Sequence, residues 1–231
     1  MKTVLVTGAN RGLGLEFCRQ YAESGWKVLA CCREPDRADA LKKLAESHPE
    51  IALHRLDVSR FDEVDTLAQA LAGQPIDFLI HNAGIYGDSE RTPFGALDYT
   101  AWMKAMEINA LAPVKLTEAL LPQLELGSGK LVAALTTLMG SLADNRTGGS
   151  ILYRSSKAAL NMAMKTLSVD LRRRGIGVLL LHPGWVRTDM GGPNAITLPK
   201  ESIAGMIKVM EAYQPGDSGK FLDFRGKELP W

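Results

Sequence analysis

Short apolar runs alternate with longer segments of helical spacing from one end of the chain to the other. Thr3–Val6 is apolar and β-branched and predicts a first strand. Leu13–Ser24 sets Leu13, Phe17 and Tyr21 at helical intervals, and Gly25 predicts the helix end. Val28–Cys32 reads as a second strand, Ala38–Ser47 as a helix that Pro49 cannot continue, and Ile51–Leu56 as a third strand. A helix over Asp62–Leu71 and a fourth strand over Ile76–Ile80 follow, then a loop rich in Gly, Asp and Ser. Tyr99–Leu124 predicts a long helical region interrupted near Pro113. Lys130–Leu135 predicts a fifth strand, Ile151–Arg174 a long helix, Val178–Leu181 a sixth strand, Glu201–Ala212 a helix and Lys220–Phe224 a last strand. Strands joined by helices imply parallel pairing, because parallel neighbours need a crossover. The expected class is α/β, a doubly wound parallel sheet with helices on both faces. The sequence shows no repeat or low-complexity tract. Its 231 residues are expected to form a single domain, residues 1–231, with Gly191–Pro193 as a loop and not a linker.

Composition narrows the function classes. Hydrophobic residues make up 46% of the chain and net charge is +1, which excludes a disordered chain. The densest basic group, Arg172-Arg173-Arg174, falls at a predicted helix end before Gly175, where it complements the helix dipole. No nucleic-acid partner is expected from it. Cys18, Cys31 and Cys32 form an odd set with two adjacent members and no zinc spacing, so reduced thiols and no metal are expected. The first apolar run is too short for a signal segment, and no run approaches membrane-spanning length. The expected location is the cytoplasm, with no membrane partner.

Candidate chemistry begins at the turn Thr7-Gly8-Ala9-Asn10-Arg11-Gly12-Leu13-Gly14, between the first strand and the first helix. Glycines there allow a tight turn, close backbone approach to a pyrophosphate, and close packing of helix on strand. The helix N-terminus adds free N–H groups and a positive dipole. A glycine triplet alone also makes ordinary turns; its place between strand and helix favours nucleotide binding.

The glycine spacing resembles the T-G-x-x-x-G-x-G signature of short-chain dehydrogenases/reductases, and the resemblance continues in order. His81-Asn82-Ala83-Gly84 is similar to N-N-A-G, Tyr153-Arg154-Ser155-Ser156-Lys157 matches Y-x-x-S-K, and Pro183-Gly184-Trp185-Val186-Arg187-Thr188 matches P-G-x-V-x-T. Leu138-Met139-Gly140-Ser141, Asp144-Asn145, the run from His182 to Pro193 and Glu228-Leu229-Pro230-Trp231 resemble the C-factor (C-signal) group of that family.

The resemblance implies a Rossmann fold and hydride transfer between a nicotinamide cofactor and a small carbonyl or alcohol substrate. It implies catalytic roles for Tyr153 as acid/base, Lys157 as its ammonium partner and ribose ligand, Asn109 as holder of a relay water, and Thr137 where the family usually has serine. Tyr153 and Lys157 share one helical face, where an ammonium would lower the phenol pKa. Thr136 is adjacent, and strand alternation lets only one of the two threonines face Tyr153. The cofactor would lie against Gly8, Asn10, Arg11, Gly12, Leu13, Gly14, Arg33, Asp57, Val58, Asn82, Ala83, Gly84, Tyr153, Lys157, Pro183, Gly184, Val186 and Thr188. Asp57 reads either as an adenine ligand or as a turn aspartate. Cys32 and Arg33 stand where an NAD-preferring member has an acidic residue, so NADP(H) is favoured and NAD(H) remains the other choice. The family pattern further implies a homo-oligomer, dimer or tetramer. A second reading, from the C-factor group, is a signalling or regulatory protein that binds cofactor and catalyses little.

Overall fold

The computed structural model describes residues 1–89 and 93–231. β1 (Thr3–Thr7) leads through α1 (Gly12–Glu23) to β2 (Lys27–Cys32), and α2 (Asp39–Ser47) leads to β3 (Ile51–Arg55). α3 (Phe61–Ala70) precedes β4 (Phe78–His81). Then come α4 (Tyr99–Met106), α5 (Ala112–Ala119), α6 (Leu121–Leu126) and β5 (Leu131–Leu135). α7 (Ile151–Asp170), β6 (Gly177–His182), α8 (Pro199–Glu211) and β7 (Phe221–Asp223) complete the chain. The seven strands form one sheet in the order β3-β2-β1-β4-β5-β6-β7, and every pair is parallel. The expected doubly wound parallel sheet is therefore the observed one.

Strand alternation divides the core. Val4 and Val6 of β1, Val28 and Ala30 of β2, and Leu131 and Ala133 of β5 pack with Phe17 and Tyr21 of α1 and Ile203 and Met206 of α8. Leu5, Leu29 and Val132 face the other way, onto Val64 and Leu67 of α3, Leu116 of α5 and Leu160 and Met164 of α7. Burial on both faces explains why the strands read as nearly continuous apolar runs. Met164 of α7 is fully buried, whereas Met162 is 70% exposed. Among the described residues no helix is long and apolar enough to cross a membrane.

The break expected near Pro113 lies one turn earlier. Glu107–Leu111 is a π-helical segment between α4 and α5, in which Ala112 N–H donates to Glu107. Pro113 has no N–H for the carbonyl of Asn109 and its ring would crowd that carbonyl, so the wide turn absorbs the conflict. The long predicted helix after Ile151 ends α-helically at Asp170 and tightens to a 3-10 turn over Leu171–Arg174.

Asp77, just before β4, ties the sheet's lower end together. Its carboxylate accepts from Thr3 N–H at 2.7 Å, from Ser128 N–H and Oγ at 2.7 Å each, and from Gly129 N–H at 2.9 Å. Burial alone would raise its pKa, but the hydrogen bonds from Ser128, Thr3 and Gly129 outweigh it and hold the carboxyl below its ordinary value. The folded state thus binds fewer protons there than the unfolded chain. The stabilisation is present above the unfolded pKa of about 3.9 and is lost as pH falls through the lower folded value. Asp77→Ala leaves buried donors unpaired and is expected to cost about 1–3 kcal/mol at neutral pH. The loss should shrink as pH falls below 4 (roughly); urea melts across that range would show it, and a pH-independent difference would contradict the account.

Candidate active site

The carboxyl ends of β1 and β4 are adjacent, and the chain leaves them in opposite directions across the sheet. Open α/β sheets bind ligands in the crevice such a reversal creates. Here two side chains lock the reversal. Thr7 Oγ1 accepts from the N–H groups of Asn82 and Ala83, each at 3.0 Å. Asn82 Nδ2 donates back to Thr7 O at 2.8 Å and Gly8 O at 3.2 Å.

The glycine turn is built for close approach. Gly8 and Gly12 have φ of +64° and +54°, in the left-handed region that favours glycine. A Cβ on Gly14 would stand 2.1 Å from Gly8 O and 2.6 Å from Asn82 Nδ2, so only glycine lets α1 start this near β1. α1 has no side-chain N-cap, which leaves its first-turn N–H groups facing the crevice unpaired by a cap. Thr188 of the Pro183–Thr188 segment closes the far wall: a Cβ on Gly12 would lie 3.7 Å from Thr188 Cγ2. These features form a cradle suited to a pyrophosphate.

The expected catalytic side chains converge beyond β4. Lys157 is buried, and its Nζ donates to Leu135 O at 2.8 Å, at the end of β5. The same Nζ lies 5.9 Å from the Tyr153 ring centroid and 3.6 Å from where a Gly84 Cβ would be. Asn109 is 1% exposed in the π-helical turn. Its Oδ1 accepts from Ile85 N–H at 2.9 Å, and its Nδ2 donates to Ile85 O at 2.8 Å and Ser156 Oγ at 2.9 Å. That amide joins the loop after β4 to α7, with both of its N–H donors engaged.

Thr136 and Thr137 point apart, as alternation requires. Thr136 Oγ1 donates to buried Asn161 Oδ1 at 2.6 Å. Thr137 starts a 3-10 turn over Leu138–Gly140 and its Oγ1 accepts from Met139 N–H at 3.2 Å. No described residue accepts the Thr137 hydroxyl proton, which is left to donate elsewhere. Gly140 brings this turn against α7: a Cβ there would meet Lys157 at 3.0 Å.

One electrostatic expectation is reversed. The lysine does not lower the Tyr153 phenol. Burial, with a smaller contribution from nearby Tyr86, pushes it up to about 12. Burial likewise pulls Lys157 down to about 8. The ammonium is turned toward Leu135 O and the ring face, and a buried pair whose charges are not in contact suffers desolvation first.

The remaining cofactor candidates are placed as follows. Arg33, after β2, is exposed and, among the described residues, makes no ion pair; its charge helps keep Asp57 ionised. Asp57 takes the turn arrangement, its Oδ1 accepting from Ser59 N–H at 3.0 Å and Ser59 Oγ at 2.7 Å. Val58 follows it, half-buried beside the core. Arg11 reaches across to Asp189 at 2.8 Å, both side chains well exposed. Asn10 is exposed on the same turn. Val186 is buried and bridges to Thr197, and Gly184, at φ +82°, follows Pro183 out of β6.

His81 is buried at the end of β4, and burial pushes its pKa down to about 3. Its Nε2 bonds Thr117 Oγ1 at 2.8 Å, and Thr117 in turn donates to Pro113 O. It thereby fastens β4 to α5. Sequence reasoning passed over Tyr86 and Asp88. Tyr86 packs a tilted ring against Tyr153 with centroids 4.8 Å apart, and Asp88 accepts from the N–H of Leu152 and of Tyr153. Neither belongs to a motif that spacing could pick out.

The sequence matches the short chain dehydrogenase family over residues 2–197. It is 48% identical over 157 residues to the C-signal protein of Myxococcus xanthus, covering 68% of this chain and 93% of that one. It is 37% identical, over the full length of both, to 1-hydroxy-2-glutathionyl-2-methyl-3-butene dehydrogenase of Rhodococcus sp. strain AD45. Among solved structures, NADPH-bound carbonyl reductase from chicken fatty liver superposes with a TM-score of 0.92 at 34% identity, covering 100% of this chain and 99% of that one. With motifs, sheet order and whole-chain similarity agreeing, the chain belongs to the short-chain dehydrogenase family of NAD(P)-dependent oxidoreductases.

Proposed function

We propose that this protein reduces a small carbonyl compound, or oxidises the corresponding alcohol, with NADP(H) as hydride carrier and Tyr153 as the proton donor or acceptor. The observation that carries this reading is the Lys157 ammonium lying 5.9 Å from the Tyr153 ring and beside Gly84 at the end of β4, and the Thr137 hydroxyl proton, at the end of β5, without an acceptor among the described residues supports it. The glycine turn and the α1 N-terminus would hold the pyrophosphate, and Lys157 would hold the nicotinamide ribose. The bound nicotinamide would supply or take up the hydride. Thr137 would donate to the substrate oxygen and hold it beside the Tyr153 hydroxyl. Tyr153 would give its proton to that oxygen during reduction and recover it during oxidation. Burial holds the phenol protonated at neutral pH, the form that reduction starts from. A spectrophotometric screen of aldehydes, ketones and alcohols, including a glutathionyl alcohol, with NADPH and NADH tests the proposal. Turnover with any carbonyl or alcohol supports it. Absence of turnover across the panel, with NADPH still bound, favours the second reading, a signalling protein that retains the cofactor site. The 48% identity to C-signal is what keeps that reading in view.

The preference for NADPH rests on Arg33, whose guanidinium is free to meet a 2′-phosphate. Arg33→Ala is expected to weaken NADPH binding about tenfold or more, the equivalent of one charge-assisted bond, and to leave NADH within about twofold. Fluorescence titration of both cofactors checks this; equal losses would remove the phosphate role.

We further propose a homo-oligomer, a dimer or tetramer, associating through α4 and α7. Tyr99, Met103 and Met162 are 68%, 71% and 70% exposed on those helices. Sedimentation equilibrium at micromolar concentration decides it, and a monomer mass counts against it.

A further inference from the structure

α7 begins without a cap of its own. Ser150, its N-cap residue, is held at φ 46°, ψ 48°, and makes no side-chain bond to the helix. Its Oγ is instead engaged by the Tyr86 hydroxyl at 2.7 Å. The N–H groups of Leu152 and Tyr153 would be orphans of the first turn. Both are satisfied from another part of the chain. Asp88 Oδ1 accepts from Leu152 N–H at 3.2 Å, and Asp88 Oδ2 accepts from Tyr153 N–H at 2.8 Å. A carboxylate at that end also meets the positive end of the helix dipole.

The loop that carries Asp88 is fixed on both sides. Asn109 holds both backbone groups of Ile85. Gly87 takes φ +80°, and a Cβ on it would stand 3.3 Å from Ala105 Cβ and 3.7 Å from Leu152, so the chain threads tightly between α4 and α7. Between these anchors Tyr86 lays its ring against Tyr153, tilted by 39°. Residues 85–88 thus contact the backbone, the ring and the preceding cap residue of Tyr153 together.

We propose that Asp88 is a positioning residue for Tyr153, setting the place of the phenol through the first turn of α7. The proposal rests on the reading of Tyr153 as proton donor. Its physical content lies in where the helix would yield. Without the cap, α7 would loosen at its first turn, which carries Tyr153. Lys157 lies one turn deeper and is fixed independently by Leu135 O. Loss of Asp88 should therefore damage proton transfer and spare cofactor binding, a separation that general destabilisation of the fold would not give.

The test compares Asp88→Ala, Asp88→Asn and Tyr153→Phe with the wild type in kcat, KM, NADPH dissociation constant, melting temperature and amide exchange. Asp88→Ala is expected to lower kcat on the order of tenfold to a hundredfold, the scale for small misplacement of a reacting group. NADPH affinity should stay within about twofold, since Lys157 and the glycine turn keep their own anchors. The Leu152 and Tyr153 amides should exchange faster, while those of the glycine turn should not. Asparagine offers one acceptor oxygen where Asp88 uses two, so Asp88→Asn can pair only one of the two N–H groups and should recover kcat in part. Unchanged kcat in Asp88→Ala overturns the proposal. So does a proportional fall in kcat, NADPH affinity and melting temperature, which would mark a purely structural cap. If Tyr153→Phe is fully active, the proton-donor reading has failed and the positioning role falls with it. Faster exchange at Leu152 and Tyr153 would then still identify the cap and tell the two failures apart.

Discussion

Tyr153→Phe is expected to lower kcat for carbonyl reduction by about 10²- to 10⁴-fold, the range that a positioned proton donor contributes. The substitution removes one oxygen and little else. The Tyr153 hydroxyl bonds none of the described residues, while its ring keeps its contact with Tyr86 and with the Lys157 ammonium. Melting temperature should stay level, because the hydroxyl has no bond among the described residues to lose. NADPH affinity should also hold, because Lys157 keeps its bond to Leu135 O. Lys157→Met makes a contrasting control. It strips the buried Leu135 carbonyl of its donor and should weaken both folding and cofactor binding. Single-turnover measurements separate the two variants. Retention of more than about a tenth of the wild-type rate by Tyr153→Phe would place the proton donor elsewhere.

Much of the fold was legible because each element carries its own local signal. The buried strands are unbroken apolar runs, and Gly25 and Pro49 punctuate the first helices. The glycine turn could be placed because it lies between two such elements. The π-helical turn at Glu107–Leu111 could not be located. Pro113 announces a conflict, but whether the helix kinks, breaks or widens depends on what packs around it. Here the committed amide of Asn109, bonded to Ile85 and Ser156, fixes the wide turn.

The site was legible where function needs fixed spacing along one element, as with Tyr153 and Lys157 on α7. It was not legible where a partner arrives from another segment. Asp88 is separated from Tyr153 by 65 positions, and only the packing of the loop after β4 against α7 brings its carboxylate to that amide. Arg11 shows the reverse case. It belongs to the glycine turn, yet its guanidinium is drawn to Asp189, 178 positions away. The pKa of Tyr153 was misjudged for a related reason: sequence places an ammonium one turn away but not its direction, and burial of the phenol outweighs it.

Thr137→Ala is expected to reduce kcat and kcat/KM together by about 10²-fold, as loss of a donor to an oxygen that gains charge in the transition state would. The neighbouring Thr136→Ala should leave turnover near wild type. The two hydroxyls differ in where their protons go. That of Thr136 is spent on buried Asn161 Oδ1 at 2.6 Å, whereas Thr137 only accepts, from Met139 N–H, and keeps its proton for a substrate. Thr136→Ala should instead show in stability, at about 1–3 kcal/mol, since it leaves the Asn161 oxygen buried and unpaired. Thr137→Ser keeps the hydroxyl and the turn-starting acceptor and loses only a methyl, so its activity should match or exceed wild type. NADPH titration should give the same affinity for all three variants. The assignment fails if Thr136→Ala is the silent enzyme and Thr137→Ala is active. If both merely match an already negligible wild-type rate while NADPH still binds, the signalling reading gains what the oxidoreductase mechanism loses.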